Sequence, residues 1–166
     1  MRRATLLFIA IASAVTGAAT AVPDAQTPID ISELADYRLT APAFDRFVFA
    51  TRRVVEIVRD DPAFAHAPLF TKEVALSDDA VAAASALVAR LENHPGLVTA
   101  LGASKFTPRE YAKFAITLIA AHVAHGFVKA GVIQSVPDGA PSVNVDFVKT
   151  HESDVSAALA SLGILD

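Results

Sequence analysis

From Thr40 onward the apolar positions fall at steps of three and four, the spacing of one helix face. Phe44, Phe47, Val48, Thr51, Val54, Val55 and Val58 form a stripe, and Arg46, Arg52, Arg53, Glu56 and Arg59 take the opposite side. This pattern predicts an amphipathic helix of about four turns. Thr40 and Pro42 open it, and Asp60-Asp61-Pro62 closes it. The stretch from Pro62 to Phe70 (PAFAHAPLF) then loses the period and reads as a loop laid over apolar surface.

A second stripe, Val81, Ala84, Leu87, Val88 and Leu91, predicts a helix capped by Ser77 with Asp78 and Asp79 in its first turn. Asn93-His94-Pro95-Gly96 breaks it, and Pro95 opens a short helix closed by Gly102. Thr107-Pro108-Arg109-Glu110 carries the strongest local signature: a threonine cap, a proline in the first turn and a glutamate three residues after the cap form a capping box. The third main helix runs from there to about Ala130 and is apolar nearly all round, which makes it central. It reads as too short, and too interrupted by histidines and Gly126, to be a membrane span.

Pro137-Asp138-Gly139 marks a turn. Beyond it two patterns compete. Alternation of Val143, Val145 and Phe147 with Asn144 and Asp146 fits a short strand over residues 142–148. A helix capped by Asn144 would instead turn Val145, Val148, Glu152, Val155, Leu159 and Leu162 inward and stop at Gly163, and it accounts for more residues; a small rotation about its axis moves Glu152 to the surface, the favoured position for a carboxylate. Taking the helix, the chain is all-α: four-helix-bundle-like, with one or two short extra helices.

The N-terminus is different in kind. Arg2 and Arg3 precede an apolar run from Thr5 to Val15, and Ala19-Thr20-Ala21 puts small residues where a signal peptidase reads. Residues 1–21 thus read as a secretory signal peptide, 22–30 as a flexible leader and 31–166 as a single helical domain. The expected location is periplasmic or secreted, with no transmembrane segment in the mature chain. The remaining 145 residues suffice for a core, and they must do without staples because the chain has no cysteine. That absence excludes a thiol nucleophile, a thiolate zinc site and c-type haem attachment. After cleavage 12 basic residues face 18 acidic ones, a balance unsuited to nucleic acid.

Chemistry is sparse. No hydrolase serine motif and no phosphate-binding glycine loop occur. His122 and His125 share a face of the third helix and are the candidate metal ligands, with Glu152 and its neighbour His151 as completing groups. The only methionine is Met1, so a haem would need histidine on both sides. Tyr37 and Tyr111 are candidate polar contacts of a pocket, and Phe64, Phe70 and Phe106 are candidate rings at its mouth or, alternatively, plugs for the bundle ends. The sequence requires no cofactor. Two functions follow: non-catalytic binding of an apolar small molecule or an envelope partner protein, or a histidine-based metal or haem site. The export reading has a direct check. The full chain made in a Gram-negative host is expected in the periplasm with an N-terminus at Val22, and an uncut cytoplasmic product would refute it.

Overall fold

A computed structural model describes residues 29–64, 69–70, 79–135 and 141–164. The described residues form seven α-helices and no strand: α1 (Ile31–Ala35), α2 (Ala41–Asp60), α3 (Ala80–Glu92), α4 (Pro95–Ala103), α5 (Pro108–Lys129), α6 (Ser142–Thr150) and α7 (Glu152–Ser161). A single 3-10 turn, Pro62–Phe64, follows α2. The protein is all-α. Segment 142–148 is helical, which resolves the strand alternative.

Each helix start shows which local chemistry prevails. Thr40, in extended conformation, precedes α2 with proline in the first turn. α3 begins two residues later than the Ser77 cap implies. The Asp79 carboxylate accepts the Ala82 N–H at 2.9 Å and caps it instead, while Ser77 and Asp78 lie outside the described residues. α5 has the full capping box, Glu110 N–H to Thr107 Oγ1 and Thr107 N–H to Glu110 Oε2, both 3.1 Å. The expected leader is shorter than drawn: Ile29 is buried, and Asp30 caps α1 through its own box with Glu33.

α5 occupies the centre and packs on α1, α3, α4, α6 and α7. At 22 residues it is long and apolar enough to cross a membrane, but more than half of its most apolar window is buried within the fold, as a core helix requires. α2 meets it through large rings. Phe47 stacks on Phe114 at 4.7 Å and on Tyr111 at 5.0 Å, and Tyr111 shares a 2.9 Å hydrogen bond with Thr51 on α2. Phe106 sets its edge against both Tyr111 and Phe114.

Two expectations about the C-terminal region fail. Asn144 is not a cap. α6 starts behind Pro141, and Asn144 sits inside the helix, buried, because its amide finds better partners in the chain before α2. The long helix is also broken at His151, whose backbone leaves helical geometry (φ −115°, ψ 27°). Val145, Val148, Val155 and Leu159 still face inward, but the break turns Glu152 outward. The expected turn at Pro137-Asp138-Gly139 lies outside the described residues.

α4 ends in a Schellman motif, with Phe106 N–H on the Leu101 carbonyl and Lys105 N–H on that of Gly102, both 3.0 Å. Gly102, expected to close this helix, lies within it, and Lys105 takes the left-handed position at φ 58°. A lysine there is strained where glycine would not be. Lys105→Gly is therefore expected to raise stability by about 0.5–1 kcal/mol in urea unfolding. A loss would show that Lys105 is held by something other than its backbone.

Candidate functional site

One opening among the described residues is a cleft of about 500 Å³ between α1, α3, α5 and α6. A second, of about 630 Å³ and with charged residues on its border, lies between α2 and α7. The back of the first cleft is α5, where Ala120, Ala121 and Ala124 present side chains too short to fill the space. Ile31 and Leu34 of α1, Val81 of α3 and Val145 of α6 complete an aliphatic lining. Three polar residues border it. Asp79 is engaged in capping α3. Asn144 is also occupied: its Oδ1 accepts the Leu39 N–H and its Nδ2 donates to the Tyr37 carbonyl, both at 2.9 Å. Thr117 is only 7% exposed, and its hydroxyl has no hydrogen-bond partner. Among the described residues no cationic side chain lines the cleft. Chemically the space suits an uncharged aliphatic body.

The candidate aromatic residues lie elsewhere. Tyr111 is fully buried in the ring cluster between α2 and α5, and burial pushes its phenol well above the usual range. Phe106 and Phe70 are buried against it. Tyr37 sets its edge on Phe114 at 6.2 Å, and burial raises its phenol too. Phe64 packs on the His94 ring at 5.4 Å. None of these five borders the aliphatic cleft. They fill the domain, which is the alternative that an alanine-rich chain demands.

The histidines form a second focus at the C-terminal end of α5. His125 is buried, with Nε2 3.7 Å from Glu152 Oε2, beyond hydrogen-bond range, and that nitrogen has no partner. Glu152 belongs instead to Lys129, whose ammonium lies 2.5 Å away and is the main cause holding the carboxyl below its usual range. His122 is half-buried with Nδ1 unpartnered. Burial lowers its pKa, and the neighbouring His125 adds to the effect. His151 is not with them: its ring packs on Phe147 at 4.5 Å and near Phe44 at 6.3 Å. Among the described residues no three histidine or carboxylate groups gather as a metal centre would require.

Two residues gain roles that their sequence context hid. His94 caps α4 by accepting the Leu97 N–H at 3.2 Å, and its other ring nitrogen lies 2.8 Å from Asp61, tying the end of α2 to the start of α4. Glu33 draws Arg109 and Lys113 of α5 onto α1. The Arg109 bond is the largest cause, the Asp30 N–H the next, and together with Lys113 they hold the Glu33 carboxyl down to about 2. Its signal was present in the sequence as Asp30-x-x-Glu33, a capping-box spacing.

With this geometry in view, comparison adds nothing further: no family model matches the chain, no curated protein is similar to it, and no solved structure matches its fold.

His122 yields a pH prediction. Its folded pKa lies below the unfolded value, so the unfolded chain binds the proton first as pH falls. The neutral ring's contribution is complete above the unfolded value, about 6.5, and is lost on acidification below it. His122→Gln is therefore expected to flatten the fall in urea midpoint between pH 7.5 and 5.5. An unchanged slope would mean that the ring is as well solvated as in the unfolded chain.

Proposed function

We propose that this chain is an exported, four-helix-bundle-like protein that binds an apolar small molecule, without catalysis, in the cleft between α1, α3, α5 and α6. One observation carries the reading. A space of about 500 Å³, within the range of small-molecule sites, is lined by alanines and branched aliphatics, whereas the larger space between α2 and α7 is bordered by Asp45, Arg52 and Asp154. Among the described residues, the unpartnered Thr117 hydroxyl beside the aliphatic cleft has unused capacity for an oxygen-bearing occupant. Export is supported by the basic, apolar and small-residue order of the first 21 residues. The absence of catalytic sequence motifs accords with a carrier or sensor rather than an enzyme. The histidine alternative draws less support: Glu152 lies 3.7 Å from His125 but is engaged by Lys129, and among the described residues no three such groups gather as a metal site would require.

The test is binding of a neutral apolar fluorophore, N-phenyl-1-naphthylamine, to the protein recovered from cells making the full chain. Ala120 lies exposed on the cleft surface of α5, so Ala120→Phe fills the space at little cost to folding. The expected result is at least about a tenfold loss of affinity with unchanged helicity, since a blocked apolar site forfeits more than 1.4 kcal/mol. Equal binding by both proteins would place the fluorophore elsewhere and remove the proposal.

A further inference from the structure

The wall that α1 contributes to the cleft is built unlike the other three. None of its five residues is buried, and Ile31 exposes 72% of its surface even though it borders the cleft. The chain is pinned firmly on both sides of it. Ile29 is 3% exposed on one side, and Leu39 is 5% exposed on the other. Asn144 clamps that second pin through the Leu39 N–H and the Tyr37 carbonyl. Between the pins, among the described residues, the side-chain bonds that carry α1 to another helix all end on Glu33. Arg109 donates to it through Nε at 3.3 Å and through Nη2, and Lys113 donates through Nζ at 3.2 Å.

We infer that α1 is a gate that narrows or widens the open apolar cleft, latched in its narrow position by Glu33 between Arg109 and Lys113. The inference rests on the cleft being a binding site. The latch is made of charge-assisted bonds, strong individually. Its three side chains keep 18–30% of their surface in water, however, so salt and solvent weaken it. The pins are neutral and buried, so they persist when the latch opens. A short helix with no buried residue, held by screened charges and the partial packing of Leu34 between buried anchors, is a low-stability element of the kind that moves first. Release of Glu33 frees Leu34 and Ala35 from the cleft wall and widens an opening that already reaches solvent at Ile31 and Ala120. Conversely, an occupant touching Ile31 and Leu34 adds apolar contact only to the narrow form, so occupancy and latching reinforce one another.

Glu33→Gln isolates the latch. Glutamine keeps the size of the side chain and still serves the capping box with Asp30, so α1 retains its own reason to be helical. What disappears is the charge facing Arg109 and Lys113. Two measurements on the full chain decide the matter: hydrogen exchange across residues 30–39, and the release rate of bound N-phenyl-1-naphthylamine by stopped flow. The expected result for Glu33→Gln is roughly tenfold faster exchange confined to that segment and a comparable gain in release rate. In 0.5 M salt the wild type is expected to approach the variant, whose own release rate no longer responds. Unchanged exchange in the variant overturns the latch. Faster exchange with unchanged release overturns the gate and leaves Glu33 as a structural tie. If the fluorophore binds neither protein, the cleft reading fails and the gate with it, while exchange still reports whether Glu33 holds α1.

Discussion

The contact on which the rest of this domain depends is the stack of Phe47 on Tyr111 and Phe114. α2 and α5 are the two longest helices, and these rings set the distance between them. With no cysteine in the chain, packing has to supply what disulfides supply in many exported domains. Large rings bury the most apolar area per residue and contribute pairwise attraction beyond it. The Tyr111 hydroxyl reaches Thr51, so the one polar atom in the stack is satisfied without opening a path to water. The rest of the fold is arranged around that spacing: α3 and α6 on the sides of α5, α4 and α7 bridging to α2.

The same helix explains both the solid and the hollow part of the molecule. Along its first half α5 presents Tyr111, Phe114 and Leu118, each fully buried. Further on it presents Ala120, Ala121 and Ala124, and there the neighbouring helices cannot close. Backbone separation is fixed by the rings, so small residues farther along leave volume behind rather than drawing the helices together. The cleft is thus a geometric result of placing alanine where the frame is already set. A ring and an alanine occupy the same heptad logic and give opposite outcomes.

Periodicity and capping chemistry were readable because they are local. The stripe from Phe44 to Val58 and the Thr107–Glu110 box each depend on residues within a few turns, and α2 and α5 follow from them. Asn144 was misread because its spacing imitates a cap while its partners, Leu39 and Tyr37, lie more than 100 positions away. Glu152 lies toward the surface, as a small rotation of the helix would put it, but the break at His151 has no local breaker residue to announce it. The pocket is not legible in the aromatic residues, which fill the core; the residues that leave space are alanines and valines, whose side chains carry no distinctive chemistry. The pairing of His125 with Glu152 was foreseen as proximity, but the stronger claim of Lys129 on the same carboxylate was not.

The break at His151 has a consequence for how the domain comes into being. A straight helix would lie along α5 alone. The bend lets α6 pack on α5 and then sends α7 across to α2, carrying Val155 and Leu159 into the interior beside elements laid down about a hundred residues earlier. One wall of the core is therefore made by residues about a hundred positions away from the helix they cover. Closing that wall requires a long loop of chain to come together, a step far less local than the capping that starts each helix.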